Sequence, residues 1–556
     1  MQHSGTNNPQ PLGGCVEQPL SPTNDSAGEV KTRPQASLFC ILRPSKFLTH
    51  RRTPMSFQRA SGVLLHPTSF PSRYGIGDLG PAAYTFVDFL AKSGQKLWQI
   101  LPLGPTGYEH SPYIMNFSTF AGNPLMIDLD QLAAEGLLVE DELMPLTDVD
   151  PEKVDFDKVI AHKTQFLKQA YERFLAARSP DQQAKFDQFC QEQASWLDDF
   201  VLFMALLEAN DGKSWNFWEP AIARREPEAL QAQREALKAQ IQYHQFVQFK
   251  FFEQWQNLRR YANDKNIQIV GDISIYVCHN SSDVWADPEL FKLDPNTFEP
   301  AFIAGVPPDY FSETGQLWGN PVYNWDKAEK TNFAWWIKRF QVTLQYVDIV
   351  RVDHFRGFEA YWQVPAGEET AINGEWVEAP GEKFFTALGE ALGTLPIMAE
   401  DLGIITPEVE ALRDRFDFPG MRILMFAFGD DPDNAYLPHN YTRNTVVYPG
   451  THDNDTAIGW WQQASDTEKQ FVARYSGYSS PDAIEDINWL LIRTALASVA
   501  DLAIIPLQDL LDLDGRSRMN DPSHNDGNWR WRYRSSALLT NALSERLRTL
   551  TQLYSR

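Results

Sequence analysis

The chain has 556 residues, 43% apolar and 22% charged, enough to bury a large core in one insertion-bearing domain or in several smaller ones. Its formal net charge of −24 argues against a nucleic-acid partner or an anionic membrane surface, both of which need a basic stripe, and suits a neutral substrate. Aromatic residues reach 13%, with 17 Trp and 19 Tyr; a large aromatic core and rings that stack on sugars both account for such numbers.

Residues 1–54 are rich in Pro, Ser, Asn, Gln and Thr, carry no sustained periodicity, and hold more bases than acids. Such a segment cannot bury enough apolar surface to offset its ordering entropy, so we expect a disordered, dispensable N-terminal extension. A transit peptide and a start at Met55 are the alternatives. Of four cysteines, Cys15, Cys40, Cys190 and Cys278, none forms a CxxC pair. That argues against a disulfide scaffold and for a reducing compartment, the cytoplasm, or the plastid stroma if the source is a plant or alga. No run approaches the ~18 apolar residues of a membrane span.

From residue 60 onward, short β-rich runs alternate with helical stretches. The runs are GVLLHP (62–67), KLWQILPL (96–103), IQIVGDISIYV (267–277) and YVDIVRVDHF (346–355). LPIMAEDLG (395–403), MRILMFAF (421–428), TVVYPGTHD (445–453) and LAIIPLQDL (502–510) follow. Eight parallel strands predict an α/β fold, a (β/α)8 TIM barrel, formed by residues 55–556. The wide gap between the second and third runs reads as a mainly helical insertion, about 104–265, with patterns such as HKTQFLKQAYERFLAA (162–177). A second insertion, about 280–345 and read as a long loop, lies between the third and fourth strands.

Three of the runs end in acids, at the rim where such a barrel places its chemistry: Asp353, Glu400 and Asp453. Arg351 precedes Asp353 by two residues, so both side chains share one face of the strand and the guanidinium favours an ionised carboxylate. A structural Arg–Asp pair accounts for the same spacing. His354 and Arg356 add hydrogen-bond donors for a polar ligand. Glu400 closes the apolar run LPIMAE, which raises its pKa, and the adjacent Asp401 adds repulsion in the same direction. An ionised carboxylate beside a protonated carboxyl is what glycosidic-bond chemistry needs, with no cofactor and no metal. Asp453 lies in THDND beside His452 and two residues before Asp455, a grouping that also raises a metal-dependent hydrolase; no HExxH motif accompanies it.

The motifs GVLLHPTSFPSRYGIGDLG, LPLGPTGYEHSPY, GVPPDYFSETGQLWGNP, VRVDHFRGFEAYW, AEDLGIITPEVE, GTHDNDT and RMNDPSHNDGNWRWR occur in this order across residues 56–556. In them the chain resembles the amylomaltases, or 4-α-glucanotransferases, a retaining family related to the α-amylase superfamily. The resemblance implies Asp353 as nucleophile, Glu400 as general acid/base and Asp453 as the carboxylate that stabilises the transition state. It also implies Arg351 as the arginine partner of the nucleophile, Asp272 as the acid of the superfamily's first motif, and His452 and Tyr113 as sugar-binding. With the donor His354 these make up the expected substrate-binding set. The loop 305–320 resembles a lid whose Asp309, Tyr310 and Trp318 touch glucan, with Gly305, Gly315 and Gly319 as flexible points. Partners are then α-1,4-glucans (maltooligosaccharides, amylose) and glucose. An α-1,4-glucan hydrolase with the same acids and a non-catalytic glucan-binding barrel are the rival readings. The chain departs from the family pattern at Ile114-Met115-Asn116.

Overall fold

The computed structural model describes residues 57–556 apart from 107–109, 114–116, 309–311 and 525. The expected extension 1–54, Asp309, Tyr310 and the departure at 114–116 lie outside the described residues. The described strands are β1 (Ala60–Leu64), β2 (Leu97–Gln99), β3 (Gln268–Ile273), β4 (Phe302–Val306), β5 (Gln316–Pro321) and β6 (Ile349–Val352). After them come β7 (Ala360–Pro365), β8 (Glu375–Glu378), β9 (Ile397–Ala399), β10 (Gly420–Ile423), β11 (Thr445–Tyr448) and β12 (Leu502–Pro506). A closed parallel barrel runs β1-β12-β11-β10-β9-β6-β3-β2, so all eight expected runs are barrel strands. Each expected run overshoots its strand. The run 346–355, for example, leaves the sheet after Val352, because the polar residues that follow turn into the rim.

The remaining four strands form a separate antiparallel sheet, β5-β4-β7-β8. The second insertion, read as a loop, therefore contributes two strands of a sheet completed by the chain after β6. Within it, β4 and β5 are joined by 307–315, so both ends of the 305–320 segment read as a lid belong to strands. Gly305 is no hinge: it sits inside β4, where a Cβ would lie 2.2 Å from the carbonyl oxygen of Gln316 on the neighbouring strand. Gly315, by contrast, has φ +68°, a left-handed turn position.

Between β2 and β3 lie the long helices Phe156–Ala177, Pro180–Ala209 and Lys238–Asp264. Ser179 caps the second through a reciprocal box with Gln182, and Pro180 supplies its first turn. Many aromatics belong to the core: Trp98, Trp215, Trp255, Trp285 and Trp336 are fully buried. Among the described residues no helix is long and apolar enough to cross a membrane.

One buried cation ties the helical insertion to the barrel. Lys163, on the helix Phe156–Ala177, donates to the carbonyls of Leu125 (2.8 Å) and Ile127 (2.9 Å) and lies 3.6 Å from Asp78 in the loop after β1. Asp78 also accepts from Ser72 Oγ (2.7 Å). Burial raises both Asp78 and neighbouring Asp128, the latter to about 7, and the Lys163 charge opposes the rise. Their folded-state pKa values exceed those of an unfolded chain, so ionising them costs stability, and the cost fades as pH falls. Lys163→Ala removes the compensating charge; it should destabilise the fold by about 3–5 kcal/mol at pH 8. Denaturant melts should show this loss shrinking toward pH 5, as the two carboxyls take up protons.

Candidate active site

The parallel register pairs Asp272 of β3 with Arg351 of β6, and both side chains are buried at the top of the barrel. Arg351 Nη1 donates to Asp272 Oδ1 (2.9 Å) and Oδ2 (2.8 Å), and the same nitrogen lies 3.0 Å from Asp353 Oδ1. Tyr113 Oη donates to Asp272 Oδ2 (2.9 Å). Burial would lower Arg351, but the two carboxylates in contact hold it charged. Burial raises Asp272 and Asp353, and Arg351 pulls both back. The Asp353 side chain keeps 28% exposure to the cleft, whereas that of Asp272 has none.

Glu400 follows β9 directly. Its Oε2 accepts from the backbone N–H of His354 (2.6 Å) and its Oε1 from that of Leu402 (2.8 Å). His354 adopts φ +48°, a left-handed conformation unusual outside glycine, and its N–H is one of the two that hold Glu400. Burial pushes Glu400 up to about 8; Arg351 opposes this and the charge of Asp353 adds to it. Three carboxyls thus share one guanidinium. Burial wins at Glu400, which has no cation in contact among the described residues, whereas at Asp353, which burial also raises, the Arg351 guanidinium 3.0 Å away favours the ionised form.

The adjacent Asp401 does not act on Glu400 as expected. It turns beneath the loop, where it pairs with Arg413 and accepts from the Met421 N–H (2.6 Å). Arg356, expected among the donors of the site, also leaves it: its guanidinium bonds the Ile404 carbonyl and stacks on Trp376, 3.7 Å from the ring centroid.

Asp453 stands at the far side of the cleft. Asn520 Nδ2 donates to its Oδ1 (2.7 Å), His452 Nε2 lies 3.2 Å from its Oδ2, and Arg518 bonds its carbonyl (2.7 Å). Burial lowers His452, so the ring is neutral. Asp455 turns away to the Thr456 N–H (2.7 Å) and Gln463 (2.9 Å), which splits the THDND acids. Tyr113 stacks on His452 at 5.1 Å and 6°, and Trp529 tilts against both rings. Across the cleft, Trp318 meets His354 edge-on at 4.9 Å. Burial pushes His354 down to about 3, leaving a neutral ring.

Asp353, Glu400, Asp453, Tyr113, Trp318, His354 and His452 thus line one cleft of about 450 Å³. Asp272 and Arg351 do not line it; both are buried and bond Tyr113 and Asp353, which do. Asn520 and Trp529 were missed as site residues. They occupy the quoted motif RMNDPSHNDGNWRWR, and only the fold shows them reaching back to Asp453 and Tyr113.

An ionised carboxylate, a buried protonated carboxyl and a third carboxylate around a cleft walled by aromatic rings match the demands of retaining glycosidic chemistry. A sequence model described as 4-alpha-glucanotransferase matches residues 65–539. A 4-alpha-glucanotransferase of Synechocystis is 56% identical over 504 residues, 90% of this chain and 98% of the relative. A chloroplastic/amyloplastic 4-alpha-glucanotransferase of Oryza sativa is 44% identical over 90% of this chain and 84% of its own length. The structure of amylomaltase from Streptococcus agalactiae in complex with acarbose superposes with a TM-score of 0.86 at 43% identity, covering 90% of this chain and all of that one. With its barrel, its acids and these likenesses together, the chain belongs to the 4-alpha-glucanotransferase family.

Proposed function

We propose that this cleft transfers α-1,4-glucan segments by a double displacement, with Asp353 as nucleophile and Glu400 as acid, then base. The observation that carries the reading is the geometry around Arg351: Asp353 lies 3.0 Å from its Nη1 and opens to the cleft, while Glu400 is held by two backbone N–H groups and burial pushes it up to about 8. Asp353 attacks the anomeric carbon of a bound glucan while Glu400 gives its proton to the departing 4-oxygen, leaving a covalent glucosyl ester. Glu400, now a carboxylate held by two backbone N–H groups, accepts the proton of an incoming 4-hydroxyl, and that oxygen displaces Asp353. Asp453, steadied by Asn520 and His452, stabilises the positive charge that builds on the sugar ring. The stacked Tyr113, His452 and Trp529, with Trp318 opposite, favour a sugar over water as acceptor.

Glucose and short maltooligosaccharides serve as acceptors. Nucleic acid and membranes are not partners, consistent with the net charge of −24. The unpaired thiols Cys190 and Cys278 suit a reducing cytoplasm or stroma.

Incubating the purified chain with maltotriose tests the reaction: longer maltooligosaccharides plus glucose are expected, whereas shorter sugars with rising reducing ends would mean a hydrolase. Asp353→Asn should lower turnover by on the order of 10⁴-fold while leaving maltotriose affinity and the melting temperature nearly unchanged. Because the acid works protonated, kcat/KM should fall as pH rises through about 8. In Glu400→Gln, assayed with a glucosyl fluoride whose leaving group needs no proton, that alkaline limb should vanish. A persisting limb would assign the titration to another group.

A further inference from the structure

The small sheet carries exposed aromatic and aliphatic surface that the catalytic cleft does not use. Trp362 of β7 and Trp376 of β8 are direct cross-strand partners and so share one face, their rings 5.2 Å apart at 67°. Arg356 packs on Trp376, yet that tryptophan remains 39% exposed. Ile372 (52% exposed) lies in the turn whose Ala371 carbonyl receives Trp362 Nε1 (2.9 Å). Ile404 (55% exposed) follows the Glu400 loop, and its carbonyl is bound by Arg356. Three of the exposed large apolar side chains thus gather around one indole at the mouth of the barrel, where scattered ones would call for no explanation.

This patch is continuous with the cleft. In the register of the sheet, Trp362 faces Gly305 of β4, and Gly305 faces Leu317 of β5. Leu317 pairs with Gly305 beside a register shift between β4 and β5, and it lines the catalytic cleft next to Trp318. From Leu317 to Trp376 the sheet spans three inter-strand steps, about 14 Å, room for several sugar rings. The Arg356 guanidinium fixes the geometry by joining the indole to the loop after Glu400.

We propose that Trp376, with Trp362, Ile372 and Ile404 around it, is a platform for the distal part of a long α-glucan whose end is held in the cleft. A pyranose offers an apolar face to an indole and hydroxyls to polar groups at the rim, here Asn373, next to Ile372, with its side-chain amide donating to Glu368 (2.8 Å). A flat apolar patch continuous with a glucan cleft suits that ligand. The proposal rests on the reading of the cleft as a glucan site and adds a chain-length preference to it.

The test uses Asp353→Asn protein, which binds without turnover, titrated calorimetrically with maltotriose and with amylose of about twenty glucose units. Adding Trp376→Ala should weaken amylose binding about three- to tenfold and leave maltotriose binding as it was. Ile404→Ser, at a more exposed position, should give a smaller loss of the same kind. Equal amylose affinity with and without Trp376 overturns the platform. Equal loss for both sugars also overturns it, because the residue would then be shaping the cleft. A self-association abolished by Trp376→Ala in sedimentation assigns the patch to a second copy of the chain instead. If the Asp353→Asn parent binds neither sugar, the reading of the cleft itself falls, and the platform with it.

Discussion

Arg351 is the charge around which the site is arranged. A guanidinium buried at the top of a barrel is tolerable only when its partners compensate for its lost hydration, and Asp272 does so from the neighbouring strand at the same register. With that pair closed off from solvent, the guanidinium also reaches Asp353, two residues on and just past the end of its own strand. A third carboxyl nearby then finds the available positive charge already shared. Glu400 is left with backbone donors alone, and burial, with the charge of Asp353, pushes its carboxyl up to about 8. The chemistry therefore follows from strand register and a count of charges, before any sugar enters.

The rest of the architecture keeps these groups in place. Parallel strands deliver Asp272, Arg351, Asp353 and Glu400 from three adjacent positions in the barrel, so small changes in strand pairing would separate them. Asp453 comes from a longer loop after β11 and is less constrained by the barrel. It is held instead by Asn520 and Arg518, from the segment beyond β12. The helical insertion is tied to the loop after β1 by Lys163, while the small sheet walls the cleft with Trp318.

The eight barrel strands and three acids were legible in the sequence because each signal is local: an apolar run ending in a carboxylate, with Arg351 two residues before Asp353. The small sheet was not, because β4 pairs with β7, which follows β6, and no local pattern records a pairing that skips over a barrel strand. Asp401 and Arg356 were misread for a related reason. Adjacency in sequence suggested they act on the cleft, but the turn after each strand sends them to Arg413 and to Trp376. Asn520 and Trp529 carried only a motif, and their roles arise from contacts across the barrel mouth.

In the proposed double displacement a covalent ester forms at Asp353, whose side chain lies against Arg351 and opens into the cleft. The most direct measurement is peptide mass spectrometry of Glu400→Gln protein after brief reaction with maltotriosyl fluoride, which forms the ester but lacks the base that would release it. A maltotriosyl adduct on the peptide containing Asp353 is the predicted result. An adduct on another carboxylate, or fluoride release with no adduct at all, would contradict the double displacement.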